Sequence, residues 1–422
     1  MDLPEIHALR FSKFAIIRET AARQQSERHG RTAQTATNRP PTPMKIIPAL
    51  FGLLIGSLAL VPLASNAQEG VSVGKIVIGQ SAALSGPAQA LGNEMRAGAL
   101  AYFKEVNAKG GVNGRQIELK SYDDGYEPDR TVANTKKLLQ EDQVLALFGY
   151  VGTPTSNAIL PEIEKEKVPF IGAFTGADSL RNPFNRYIFN IRASYYDETE
   201  KIVGHLTSLH INKIAVFYQN DAFGKAGLTG VQRALEKRGM KPVALATVER
   251  NSTNVAAAVK TISGAQPDYV IMISAYGSCA AFVRTMKAAG SSSQYYAVSF
   301  VGSRSLAEAL GPDSFGIGVS QVVPSPWAAK FAIVREYQAA MEKAGSSTLS
   351  FTSLEGYVAA KVLVEGLKRA GRDVNREKLV AALESIHKLD YDGFEVSFSS
   401  KEHSASEYVE LTLISRDGRI IQ

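Results

Sequence analysis

The sequence predicts an α/β protein built as two doubly wound lobes in tandem, and three observations carry that prediction. From Ile76 onward, apolar runs of strand length alternate with helical patterns. The runs are nearly continuous in apolar residues, the mark of parallel strands covered on both faces, and strand–helix alternation makes a doubly wound sheet. The pattern then restarts near Ile191, and residues 68–422 exceed the roughly 250–300 residues at which a single core stops growing.

Taken in order, Ile76–Ile78 is the first strand and Leu91–Ala108 a helix; Gln116–Tyr122 is the second strand, followed by a helix over Asp129–Gln140 just after Pro128. Val144–Phe148 is the third strand, Pro154–Glu166 one helix, Val168–Ile171 the fourth strand, and Ile188–Asn190 precedes the restart. The second series runs helix Glu198–Leu209, strand Lys213–Tyr218, helix Lys225–Arg238, strand Pro242–Val248 and helix Val255–Ser263, with Val255, Val259 and Ile262 on one face. Strand Tyr269–Ser274, helix Cys279–Ala289 and strand Tyr295–Ser299 follow. Proline-flanked Val322–Pro326 reads as a crossover between domains. Beyond it come three helices, Lys330–Ala344, Ser353–Ala370 and Arg376–Ser385, and strands near Phe394–Phe398 and Tyr408–Ile414.

Ahead of all this, Met44-Lys45 gives a positive n-region, and Ala49–Val61 is apolar apart from Gly52, Gly56 and Ser57. That run suits the roughly 7–15 residues of a signal h-region and falls short of the roughly 18 of a spanning helix. Ser65-Asn66-Ala67 supplies a small-residue cleavage site. Met44–Ala67 is therefore expected to be a cleaved signal peptide, the alternative being a membrane anchor, with the mature chain starting near Gln68. Residues 1–43 are expected to be a mis-assigned or disordered leader. The net charge of +6 owes much to this region, which holds eight of the 47 Lys/Arg and four of the 41 Asp/Glu. No basic cluster in the remainder suggests nucleic acid. The single cysteine, Cys279, rules out an intrachain disulfide and a Cys-based zinc site, and no cysteine ends the signal to take a lipid. An exported, unanchored chain fits a Gram-negative periplasm.

Ligands of doubly wound sheets sit at the carboxyl ends of the strands, so the loops there hold the candidate residues. The first is Ser81–Gln89, which contains Ser85. The third is Gly149–Ser156, where Thr153 suits an N-cap and Pro154 a first helical position, leaving the amides of Thr155 and Ser156 facing outward where the helix dipole favours an anion. The fourth, Ala173–Ala177, offers the aromatic wall of Phe174, the hydroxyl of Thr175 and Gly176, where a backbone can approach closely. The second series supplies Gln219–Lys225 with Phe223, Ala275–Ser278 with Tyr276, and Ser299–Ser303 with Ser299 and Gly302.

Enzyme signatures are poor: the sequence has no GxGxxG, P-loop or HExxH. His205 and His210 lack metal spacing, and with His387 and His403 read as surface or satisfied core residues. Asp123-Asp124 could hold an ion, but Gly125 after it reads as a turn with a solvated face. No catalytic residue, cofactor or metal is expected.

Ile76–Gln80, Leu84–Pro87, Gly92 and Lys109–Arg115, continued by Tyr122–Asp124, Val168–Ile171, Phe174–Gly176, Asn220–Gly224 and Gln321–Pro324, resemble the leucine/isoleucine/valine-binding protein family over essentially all of Gln68–Gln422. These are periplasmic substrate-binding proteins of ABC transporters. The resemblance implies the type I periplasmic binding protein fold: two Rossmann-like lobes, 68–190 plus 325–390 and 191–324 plus 391–422, joined by three crossovers and closing like a hinge. It implies a ligand carboxylate held at positions matching Thr153, Phe174, Thr175 and Gly176, an aromatic cover at Phe223, and a further pocket position at Tyr276. Amino-acid binders of the family place an acid near Ser299–Ser303 for the ligand ammonium; this chain has none there, and it has Phe174 where alanine is common. The expected ligand set is Ser85, Thr153, Thr155, Phe174, Thr175, Gly176, Phe223, Tyr276, Ser299 and Gly302. The expected function is capture of a branched-chain amino acid or related small carboxylate by a monomer that performs no chemistry and delivers its ligand to a membrane permease. The alternatives are a binder of an aromatic or other organic acid or an amide, and a periplasmic ligand-sensing module.

Overall fold

In a computed structural model of the protein, residues 69–346 and 348–422 are described. The expected leader 1–43 and signal segment Met44–Ala67 lie outside the described residues. Among the described residues no helix is long and apolar enough to cross a membrane.

The first series runs β1 (Lys75–Ala82), α1 (Gln89–Ala108), β2 (Gln116–Asp123), α2 (Pro128–Gln140), β3 (Ala146–Phe148), α3 (Thr153–Ala158), α4 (Leu160–Glu166), β4 (Phe170–Ile171) and β5 (Ile188–Phe189). Its strands are all parallel, in the order β2-β1-β3-β4-β5. The second series runs α5 (Tyr195–Ser208), β6 (Ile214–Gln219), α6 (Ala222–Glu236), β7 (Leu245–Val248), α7 (Ala256–Ala265), β8 (Tyr269–Ile273), α8 (Tyr276–Ala288), β9 (Gln294–Ala297), α9 (Ser303–Leu310) and β10 (Gly318–Gln321). Its parallel strands repeat the same order, β7-β6-β8-β9-β10. Each sheet reverses direction of growth beside its first strand, so each has its topological switch point there, where loops splay apart and leave a crevice.

The chain then returns to the first lobe as α10 (Ala332–Lys343), α11 (Phe351–Ala370) and α12 (Arg376–Glu384), with α11 packed along α1. A two-stranded hairpin, β11 (Leu389–Asp390) with β12 (Glu395–Val396), follows. β13 (Glu410–Ile414) then extends the second sheet antiparallel to β10, and β14 (Ile420–Ile421) pairs antiparallel with β13 at its edge. The chain thus passes between the sheets three times, after β5, after β10 and after β12. The first and third passages lie side by side, Asn190 bridging Ser404.

Several expectations are corrected. The single helix over Pro154–Glu166 is two, because Pro161 lacks the N–H that would continue the ladder and its ring clashes with the preceding turn. Strand β10 and helix α9 were not expected. Three helices begin one turn earlier than their apolar pattern suggests: α5 at Tyr195, α6 at Ala222 and α8 at Tyr276. The first two are set by caps. Ser194 and Asp197 form a reciprocal capping box, and Asp221 accepts from the amides of Phe223 and Gly224. The early starts place Tyr195, Phe223 and Tyr276 in first helical turns, above the strand ends.

Candidate ligand-binding cleft

Between the two sheets' carboxyl edges lies a cluster of aromatic rings drawn from both lobes. Phe174 and Tyr126 come from loops of the first lobe, Phe223 and Phe300 from the second, and Tyr195 from the first turn after the first crossover. The Phe300 ring lies 4.5 Å from Phe223, 5.3 Å from Phe174 and 5.9 Å from Tyr126, centroid to centroid, and Tyr195 lies 5.4 Å from Phe223. All five are buried.

Polar groups line the same place. The hydroxyls of Thr153 and Thr175 share a hydrogen bond of 2.7 Å, and Thr175 donates to the Tyr195 phenol oxygen at 3.3 Å. Gln219, the last residue of β6, donates through Nε2 to the Tyr126 phenol oxygen across the lobes at 3.2 Å. Burial raises both phenols, Tyr195 to about 12, so each is protonated at neutral pH. Each accepts one of these bonds and keeps its own proton free to donate.

The most telling atoms are buried and have no hydrogen-bond partner among the described residues: Ser156 Oγ, Gln219 Oε1, Ser274 Oγ, Arg192 Nε and Arg250 Nε. Ser156 lies on α3 beyond β3, Gln219 ends β6, Ser274 follows β8, Arg192 follows β5 and Arg250 follows β7. All five therefore lie beyond carboxyl strand ends. Buried polar groups are normally paired, and leaving one unpaired costs about 1–3 kcal/mol. These are five of nine such atoms among the described residues, the others being on Asn190, Tyr295, Arg376 and His403, and the five mark a place that can meet polar atoms from outside the chain.

The carboxylates bonded to these residues are already engaged. Asp221 caps α6 and accepts from Gln219 Nε2 at 2.6 Å and Arg250 at 3.3 Å. Glu198 accepts from Arg192 at 2.7 Å, from the Ser299 amide at 2.8 Å, from its hydroxyl at 3.0 Å and from Ser320 at 2.6 Å. Arg192 also donates to the Ser299 hydroxyl and faces Glu355 at 3.4 Å. Burial raises the Glu355 carboxyl to about 7 against the pull of Arg192.

The candidate residues divide accordingly. Thr153, Phe174, Thr175 and Phe223 meet in the cluster, and Gly176 abuts it, its carbonyl accepting from the Tyr195 amide at 2.7 Å. Tyr276 and Gly302 reach across to the start of α1: the Ala90 amide points at the Tyr276 oxygen at 3.5 Å, and Gly302 faces Leu91. Ser299 belongs to the Arg192–Glu198 network. Ser85 is exposed and bonded to Asp123 at 2.6 Å, so its hydroxyl serves that turn. Thr155 turns its hydroxyl back onto the carbonyls of Val151 and Gly152. The expected N-cap is corrected from Thr153 to Gly152, whose φ of 101° and contact with the Tyr126 ring exclude a side chain. The Ser156 amide, expected to face outward, bonds the Gly152 carbonyl at 3.1 Å. Asp124 is no solvated turn residue: it is buried and accepts from Ser81, Thr131 and the Tyr126 amide. Burial would raise Asp123, but hydrogen bonds from Ser85, the Gly125 and Leu84 amides and Arg130 outweigh it and hold that carboxyl at about 2. Sequence reasoning missed Tyr126, Arg192, Tyr195, Glu198, Ser274 and Phe300, and it singled out the amide of Ser156 rather than its hydroxyl. The one signal for them was position at a strand end or first helical turn.

Two cavities lie elsewhere. One of about 600 Å³ opens beside α5 and β13, where Glu200 is already paired with Arg238. The other, about 140 Å³, lies beside His403 and Asn190. Neither is lined by any residue of the aromatic cluster, although Asn190 Oδ1 and His403 Nε2 beside the second are also unpartnered, so volume is a poorer guide here than the chemistry of the cleft.

A family model described as periplasmic binding protein matches residues 75–419. An amino acid binding protein of Pseudomonas aeruginosa is 25% identical over 317 residues, 71% of this chain and 83% of that protein. A leucine-, isoleucine-, valine-, threonine- and alanine-binding protein of the same organism is 23% identical over 77% of this chain and 86% of its own length. Among solved structures, a possible leucine/isoleucine/valine-binding protein from Rhodopirellula baltica is 34% identical, with a TM-score of 0.78 over 85% of this chain and 98% of that one. A fatty acid ABC transporter substrate-binding protein from Thermomonospora curvata shares the fold at 21% identity, with a TM-score of 0.76 over 84% of this chain and 92% of its own. These likenesses agree with the two lobes, the repeated strand order and the three crossovers: the chain belongs to the periplasmic binding protein family, of the leucine/isoleucine/valine-binding type, whose members bind substrates and are not enzymes.

Proposed function

We propose that this protein captures a small carboxylate ligand, a branched-chain amino acid or a close relative, in the cleft between its lobes, and delivers it in the periplasm to the membrane permease of an ABC transporter. The observation that carries the reading is the convergence of unpartnered buried polar atoms at the strand ends of both sheets, beside an apolar aromatic cluster. The site offers donors from Ser156, Ser274 and the Tyr126 and Tyr195 phenols, joined by Thr153 when a ligand draws its proton away from Thr175, and it offers rings from Phe174, Phe223 and Phe300. A short acid with an apolar body matches both. The names of the relatives favour a branched-chain amino acid. A second reading, an acid without an ammonium group, is favoured by the engagement of Asp221 and Glu198, which leaves Gln219 Oε1 and hydroxyls rather than a free carboxylate to receive an ammonium.

A thermal-shift screen of residues 68–422 against amino acids and their 2-oxo acid counterparts tests both, because a ligand that binds the native state raises its apparent stability. The expected outcome is a rise with leucine-sized acids, followed by calorimetry. Thr153→Ala removes a hydrogen bond to a charged group, about 1.5–3 kcal/mol, or on the order of 10-fold to 150-fold in affinity. Unchanged affinity in that variant would show that the carboxylate docks elsewhere.

A further inference from the structure

We infer that Phe300 sets the size of ligand the cleft accepts, by filling with its own ring the apolar half of the site. The inference rests on the reading of the cleft as a carboxylate site and adds which residue measures the ligand.

Phe300 is central to the cluster. Its ring lies within 6 Å of three others, Phe174 and Tyr126 from the opposite lobe and Phe223 from its own. It is fully buried. It projects from a single 3₁₀ turn, Ser299–Val301, between β9 and α9. That turn is fixed on both sides. Ser299 is held by Glu198 through amide and hydroxyl. The Val301 amide donates to Val298 at 3.0 Å and the Gly302 amide to Ser299 at 3.2 Å. With its backbone pinned, Phe300 can yield to a ligand only by rotating its side chain, and three packed rings oppose that rotation.

The walls around it are stiff. Phe174 and Phe223 are buried and braced, Phe223 by the first turn of α6, and Tyr126 is tied by Gln219. Removing a large side chain from such surroundings leaves a void that collapses only in part, and an apolar void of that kind accepts an aromatic guest. The polar half of the site, at Thr153, Thr175 and Ser156, is untouched by the change.

The test uses two pairs of probes, leucine with phenylalanine and 4-methyl-2-oxopentanoate with phenylpyruvate, measured by calorimetry on wild type, Phe300→Ala and Phe300→Leu. Each pair holds the polar end constant and changes only the bulk of the apolar end, so the outcome does not depend on whether the ligand carries an ammonium. The wild type is expected to favour the smaller member of whichever pair it binds. Phe300→Ala should shift the ratio of the two dissociation constants toward the bulky member by about ten-fold or more, the range that pocket size commands. Phe300→Leu, which keeps most of the volume and whose melting curve checks the fold, should shift it the same way by less. If the wild type binds a pair and neither variant alters the ratio, the role of Phe300 is overturned while the cleft stands. If no protein binds any of the four, the reading of the cleft falls and the inference with it.

Discussion

Arg192 is a guanidinium taken wholly out of water, and its neighbours show what that requires. It lies 5.4 Å from the face of Phe174 and 5.7 Å from that of Tyr195, bonds Glu198 closely and faces Glu355 at longer range. One arginine between two buried carboxylates can balance only one in full, so burial dominates at Glu355 and lifts it to about 7 from an ordinary 4.5. The folded state therefore holds a proton that the unfolded chain has lost, and stability falls as pH rises from about 4.5 through about 7. Glu355→Gln should remove that slope. Melting temperatures of wild type and variant at about pH 5 and about pH 8 would show it, and an equal loss in both proteins would mean that Glu355 ionises as an exposed acid does. None of this was legible in the sequence. A lone arginine between Ile191 and Ala193 looks like a surface residue at a domain restart, and its partners lie 6 and 163 positions away.

At the scale of elements, what the sequence shows depends on where each one's stability comes from. The buried parallel strands were legible because nearly every residue in them is apolar. β10 was not, since Gly318-Val319-Ser320-Gln321 carries one large apolar side chain and its polar groups are satisfied by Glu198, Thr412 and the Ala297 carbonyl. Ser303–Leu310 hid behind Gly302, which looks like a loop and is the residue before a helix. The entry into α3 is a similar case. Its Thr-Pro pair signals a helix start, but the constraint sits one residue earlier, where a Cβ on Gly152 would lie 2.1 Å from the Tyr126 ring at a φ few side chains adopt. Gly152→Ala should therefore cost about 1–3 kcal/mol and displace Tyr126 or the start of α3. Denaturant unfolding would measure the loss. A variant as stable as wild type would mean that the loop relaxes freely and does not fix Thr153.

Across the whole molecule, closure rests on few contacts. Glu127 of the first lobe accepts from Arg250 at 2.9 Å and from Asn251 at 2.7 Å in the second, and Asn251 also reaches the Gly125 carbonyl at 3.1 Å. Gln219 with Tyr126, Tyr276 with Ala90 and Phe300 with Phe174 add further links between the lobes. The sequence could place the lobes but not these pairs, which exist only when two separately folded edges meet. The Glu127 contact is partly open to solvent, so its ion pair is worth about 0–1 kcal/mol. That small value suits a latch. Domains that open and close to load and release a ligand need a closed state only slightly favoured, since apparent affinity scales with the fraction of competent molecules. Glu127→Gln keeps the shape and removes the charge. It should weaken ligand binding by roughly two- to five-fold, mainly through faster dissociation, and enlarge the mean radius of the free protein in solution scattering. The thermal stability of each lobe should hardly change, because the contact lies outside both cores. Unaltered dissociation together with an unaltered radius would mean that the rings of the cleft, with Phe300 at their centre, hold the lobes together without the rim.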